Sequence, residues 1–182
     1  MTIVADTSVA IPTGTWTIDP VWSSLEFEVK KLGLMTIKGR VPGFTGTIQG
    51  GEKPSLEGSV DVSSITTFDE TRDGHLQSPD FFDAARYPTL RFESTSVQLV
   101  GDELLVEGEL TIRGVTKHVD LRGSYVGTAG DHVGNDRIGL ELATTVDRTE
   151  FGLEWNAPLP GGGLLLPNEV VLRASFVAVR SA

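Results

Sequence analysis

At 182 residues, 39% of them hydrophobic, the chain fits one domain that can bury a core without disulfide help. A formal net charge of −10 works against a nucleic-acid partner, and the absence of cysteine excludes disulfides, thiolate metal sites and cysteine nucleophiles. No stretch approaches the ~20 apolar residues of a membrane-spanning helix.

Residues 1–12 read as a flexible arm ahead of one domain over 13–182. Their apolar residues follow no Lys or Arg and are interrupted by Asp6, unlike a secretory signal, so a cytoplasmic location is expected. From Thr15 the chain alternates apolar and polar residues between Gly and Pro punctuation, the pattern of antiparallel strands with one dry and one wet face. The first strand begins at Thr15 and ends before Pro20. Leu25, Phe27 and Val29 form the next dry face, followed by Met35, Ile37, Gly39 and Val41. Pro42-Gly43 breaks or bulges that strand, and Phe44, Gly46 and Ile48 resume it. Leu56, Gly58, Val60 and Val62 come next.

The alternation stops over residues 61–92. A charged segment leads to a helical turn expected to start at Ser78 as N-cap, with Pro79 in its first position and Phe81 and Phe82 on its apolar side. Tyr87-Pro88 ends it, and alternation returns with Leu90 and Phe92. Further dry faces run through Leu104 and Leu110, Val119 and Tyr125, Ile138 to Val146, and Val170 to Ala178, with loops over 127–135 and 149–167. Eight or nine such strands must close or pack on a second sheet to hide their edges. The expected fold class is all-β: a single antiparallel barrel of about eight strands, with a short helical insert covering one end. Gly39, Gly46, Gly58, Gly108 and Gly123 fall on the dry face. Singly they read as relief of crowding or as coiling points; five on one face point to a cavity.

No G-x-S-x-G elbow, H-E-x-x-H or P-loop is present. Asp69, Glu70, Asp73, His75, Asp80 and Asp83 are the densest ionisable group, without metal-ligand spacing. They are read mainly as structural, with Arg72, Asp73 and His75 holding the insert on the barrel rim. Arg91, Arg113, Arg122, Arg137 and Arg173 point outward by parity, and Arg148 alone shares the dry face, at a strand end and therefore at a mouth.

Several motifs, in order, resemble the YceI-like family, lipocalin-like barrels that bind polyisoprenoids. They are W-T-I-D-P at 16–20, S-x-x-F-x-V at 24–29, K-L-G-L-M-T-I-K-G-R at 31–40 and T-x-x-x-x-R-D-x-H-L at 67–76. S-x-D-F-F-D at 78–83, G-x-L-T-I-R-G-V-T-K at 108–117 and D-R-T-E-F-G-L at 147–153 continue the series. The resemblance implies a lipocalin-like barrel with a lipid tunnel for a polyprenyl chain, an isoprenoid quinone or a fatty-acid derivative. Phe27, Val29, Phe44, Leu110, Leu140, Leu142, Leu172 and Phe176 are expected to line it, with Arg72, His75 and Arg148 near its rim. Where Trp22 and Lys31 stand the family usually has His, and both are expected near the entrance. The chain is expected to be a carrier rather than an enzyme, with an apolar lipid as partner and no cofactor, metal, nucleic acid or integral membrane segment. A homodimer stays open. Two alternatives remain: an enzyme acting on a bound lipid through Asp73 and His75, and a filled barrel serving as a stress-response interaction module.

Overall fold

The computed structural model describes residues 10–181. Its ten strands are β1 (Gly14–Ile18), β2 (Ser24–Lys31), β3 (Met35–Arg40), β4 (Phe44–Gly50), β5 (Ser55–Asp61), β6 (Thr89–Val100), β7 (Glu103–Ile112), β8 (Val115–Gly130), β9 (Asp136–Asp147) and β10 (Glu169–Arg180). One α-helix, α1 (Glu70–Gln77), stands between β5 and β6, and short 3-10 turns occupy Val62–Ser64 and Arg148–Phe151. All pairings are antiparallel. β1 pairs with β4 on one side and β10 on the other, so β1 and β4 through β10 close an eight-stranded barrel. The β2–β3 hairpin hangs on the same edge of β10: β1 takes Ala178 and Arg180, and β2 takes the stretch from Val171 to Ser175.

Alternation builds these walls as expected. Along β7, Leu104, Val106, Leu110 and Ile112 are buried while Glu103, Glu107 and Glu109 face water. The two ends then differ. Where β10 finishes, Trp16, Ile48, Leu104, Val106 and Ile138 are almost wholly buried and fill the barrel. Ile11 packs into this end, and Trp16 Nε1 donates to the Pro12 carbonyl at 2.9 Å. Ile11 and Pro12 are therefore tied to the barrel; of the rest of the expected arm, Ala10 is exposed and residues 1–9 lie outside the described residues. Toward the other end, Leu25, Phe27, Val29, Leu172 and Phe176 point inward yet stay half-buried, because they face a cavity.

The helix is not where the capping signals placed it. It spans the charged run before Ser78: Asp69 is the N-cap, accepting from Arg72 N at 2.9 Å, and Ser78 is the C-cap with extended backbone, ψ 168°. Pro79 disfavours helical geometry in the residue before it, and Ser78 Oγ donates to the His75 carbonyl at 2.6 Å. The expected helical residues instead form successive turns, with Phe81 N and Asp83 N on the Ser78 carbonyl and Arg86 N and Tyr87 N on that of Asp83. α1 has no fully buried residue, so no apolar stripe announced it.

The dry-face glycines serve close approach, and Gly58 also lines the cavity. A Cβ at Gly39 would overlap the Phe27 ring lying across it, and one at Gly123 would overlap the Glu141 carbonyl of β9. Gly123→Ala is expected to cost about 1–3 kcal/mol by chemical denaturation. Gly161→Ala, with open space around it, should stay within about 0.5 kcal/mol of the parent.

Candidate functional site

A cavity of about 610 Å³ occupies the half of the barrel opposite the packed core. Phe27 and Val29 of β2, Phe44 of β4, Leu110 of β7, Leu142 of β9, and Leu172 and Phe176 of β10 all line it. Phe44 and Phe176, ring centroids 5.8 Å apart, form its floor. Leu140 does not reach it. It faces Phe176 across the β9–β10 register and sits in the packed cluster below, 3% exposed. Strand parity identifies the inward face but not the height along the axis at which packing gives way to space.

Lys31, Asp69, Thr71, Arg72, His75 and Arg148 line the cavity at its open end, while Glu26, Glu57, Arg91 and Arg173 line it from β2, β5, β6 and β10. The expected partner of Lys31 at the entrance is absent. β2 separates Trp22 from Lys31, and at about 3.3 Å per residue an eight-residue strand spans most of the barrel. Trp22 therefore lies at the closed end, its ring 4.0 Å beneath the Arg137 guanidinium. Arg137 donates to Asp131 at 2.7 Å and to Asp19 at 2.9 Å. The hydrogen bond from Arg137 holds the Asp19 carboxyl below its ordinary pKa, outweighing burial.

Hydrogen bonds hold the roof over the open end. Asp73 accepts from Thr67 Oγ1 at 2.6 Å, Thr67 N at 2.8 Å and Thr66 Oγ1 at 2.9 Å. Arg72 donates through Nε to Thr67 Oγ1 at 2.7 Å and through Nη2 to the Thr67 carbonyl at 2.9 Å. Burial pushes the Asp73 carboxyl up, but the Thr67 and Thr66 hydrogen bonds and the Arg72 charge outweigh it, and its pKa falls below the ordinary value. His75 packs edge-on against Phe81 and Trp155, with centroids at 5.0 and 4.7 Å, and its Nε2 lies 2.8 Å from Asp80 Oδ2.

Two arginines pin the surrounding turns. Arg148, 6% exposed, donates from Nε to the Pro167 carbonyl at 2.9 Å. Its Nη1 reaches the carbonyls of Leu153 at 2.6 Å and Trp155 at 2.9 Å. Its Nη2 is buried without a partner, and desolvation pulls the guanidinium pKa down against the opposing Asp147 charge. Arg113 was read from parity as merely outward. In the β7–β8 turn, at φ 50°, it instead donates from Nη1 to Phe81 O at 2.8 Å and Gly152 O at 3.1 Å, joining the two roofing segments. Its place just before Gly114 in a tight turn was the available signal.

This arrangement suits enclosure of an apolar molecule. Asp73 spends its lone pairs on the roof, which suits a staple better than a proton carrier. Among the described residues one trio has metal-capable spacing, Glu107, His118 and Asp120, all exposed on the outer face of β7 and β8.

The family model described as YceI-like domain matches residues 16–178. The chain is 37% identical over 134 residues to Protein YceI of Escherichia coli O157:H7, covering 71% of this chain and 70% of that one. It is 36% identical, with the same coverage, to a UPF0312 protein of Pseudomonas aeruginosa strain LESB58. Among solved structures, BcnA of Burkholderia cenocepacia matches with a TM-score of 0.75 at 18% identity, over 88% of this chain and 98% of that one. A polyisoprenoid binding domain from Saccharophagus degradans matches with a TM-score of 0.70 at 16% identity, over 91% and 98%. At such identities the structural likeness speaks for the fold.

Arg148→Ala should destabilise by at least about 3 kcal/mol in urea unfolding, since three carbonyls lose a charged donor. Arg148→Lys should not restore it, because one ammonium cannot replace a planar fork. The lowered pKa of Asp73 makes its contribution fully present above the ordinary carboxylate value of about 3.9, and lost as pH falls through the native value. Asp73→Asn should therefore lower stability at pH 7 and flatten the acid limb of a stability–pH profile.

Proposed function

The chain belongs to the YceI-like domain family, and from that membership and the cavity we propose that it binds, stores or carries a long isoprenoid lipid, a polyprenyl chain or an isoprenoid quinone. The observation that carries this reading is the composition of the cavity: Phe27, Phe44, Leu110, Leu142, Leu172 and Phe176 line its walls and floor, and Lys31, Arg72, His75 and Arg148 line its mouth. Such a space takes a ligand tail first and leaves the head beside Lys31, Arg72, His75 and Arg148. The polyisoprenoid binding domain among the structural relatives supports the ligand class.

The energetics allow it. A cavity of about 610 Å³ lies within the ~300–1,000 Å³ of sites that enclose a drug-sized ligand. At about 0.3 kcal/mol per heavy atom, about 30 enclosed carbons contribute about 9 kcal/mol, a sub-micromolar affinity without an ion pair. Against catalysis by Asp73 and His75 stands the engagement of both in the roof. Against a filled barrel stands the volume itself.

Native mass spectrometry of gently purified protein is expected to show a co-purifying lipid, or uptake of an added polyprenyl probe. Ala174 lines the cavity, and Ala174→Trp should abolish uptake while the protein still unfolds cooperatively. Persistent absence of lipid and probe from the folded parent protein would sink the reading.

A further inference from the structure

The exposed large apolar side chains among the described residues fall into two groups. Val21, Trp22, Val100, Val126 and Val133 lie at the closed end, where Asp102, Glu103, Asp131 and Asp136 also stand. Leu32, Leu34, Met35, Phe68 and Leu164 belong to the segments around the cavity mouth. Leu32 N donates to the Leu165 carbonyl at 3.1 Å, which brings the β2–β3 tip against the loop bearing Leu164. Arg40 and Thr66 exchange both backbone hydrogen bonds at 2.8 and 2.9 Å. The chain approaching α1 therefore runs antiparallel to β3, toward the same tip, and carries Phe68 with it. Lys31, Asp69 and Leu165, next to these residues, line the cavity.

Two further features mark this rim. The first is charge. No acidic residue falls between Glu28 and Glu52, while Lys30, Lys31, Lys38 and Arg40 do, in a chain of net charge −10. Arg40 pairs with Glu26 at 3.6 Å; the three lysines form no ion pair among the described residues. The second is backbone cost. Leu32 and Phe68 hold φ of 57° and 64°, a region that bulky side chains rarely adopt. Leu32 and Gly33 are the central residues of a turn closed by Leu34 N on the Lys31 carbonyl at 3.0 Å, and both have positive φ. Such a turn favours Asn-Gly. A Leu there costs local stability and still leaves 48% of its surface open to solvent.

We propose that this rim docks on an anionic lipid surface, with the apolar side chains entering the interface and the lysines beside the headgroups. The apolar tip of the β2–β3 hairpin, flanked by three lysines without ion pairs among the described residues, matches such an interface, while Phe68 is followed by the exposed Asp69 and Glu70 of the roof. The proposal rests on the lipid-carrier reading for its purpose: with the mouth against the bilayer, a long apolar chain moves between membrane and cavity without crossing water.

The test is flotation of the full chain with vesicles of phosphatidylcholine alone or mixed with phosphatidylglycerol. Uptake of a polyprenyl probe is measured separately without vesicles. The parent protein is expected to bind the mixed vesicles preferentially, and less well as salt rises. Leu34, 87% exposed, can change without risk to the fold; Leu34→Asp should weaken vesicle binding roughly tenfold or more. Lys30→Glu with Lys38→Glu should remove the preference for anionic vesicles. Leu32→Asn should weaken vesicle binding while keeping or raising the melting temperature, which a purely structural role for Leu32 would not produce. All three variants should take up the probe like the parent. Absence of binding to either vesicle, or unchanged binding by Leu34→Asp, overturns the docking proposal. A dimer dissolved by Leu34→Asp without any vesicle binding overturns it too, and assigns the rim to a second copy. Probe uptake without vesicle binding removes the rim alone; vesicle binding without probe uptake supports the rim and removes the carrier reading.

Discussion

One edge of β10 serves two strands, and the shape of the molecule follows from how its backbone hydrogen bonds are shared. β1 takes the bonds near Ala178 and Arg180 and closes the barrel there; β2 takes those from Val171 to Ser175 and leads into β3. An unpaired edge has to be satisfied or covered. At the closed end it is satisfied by strand pairing, and the walls come close enough for side chains to meet. At the open end the wall is a hairpin longer, β3 finds only an isolated bridge to Thr66, and the remaining gap is covered by α1 and the turns beside it. The cavity is the space that this change of closure leaves.

That division explains why the charged residues sit where they do. The closed end is held by burial of Trp16, Ile48, Leu104 and Ile138. The roof cannot be held that way, because α1 offers no fully buried side chain. Its attachment is polar instead: Asp73 and Arg72 to the 66–67 segment, Arg113 across to Phe81 and Gly152, and Arg148 to three loop carbonyls. Hydrogen bonds involving charged groups are among the stronger available when few apolar contacts exist. A dense ionisable cluster in this chain is therefore a fastening over an apolar container.

Some of this was legible in the residue pattern and some was hidden for identifiable reasons. Period-two alternation identified the inward positions of β2, β7, β9 and β10, because a strand turns alternate side chains to opposite faces whatever lies beyond them. The same rule placed Arg148 on the inward face at a strand end, where it lies. It could not separate Leu140, in the packed core, from Leu142, on the cavity wall. The helix was misplaced because Ser78-Pro79 resembles an N-terminal cap, while the true cap, Asp69, precedes a segment without apolar periodicity. Trp22 was expected at the mouth together with Lys31, although a whole strand lies between them.

Sequence alone determined the all-β class, the inward and outward faces, the family, and the concentration of charge between β5 and β6. Those are local or compositional properties, readable from neighbours a few positions apart. Tertiary structure alone decided which end of the barrel is filled, where the cavity stops, and that Leu32, Phe68 and Leu164 share one rim. Such matters depend on hydrogen-bond partners far apart in the chain, above all on which stretch of β10 each of its two neighbours claims, and no periodicity along a single strand encodes that choice.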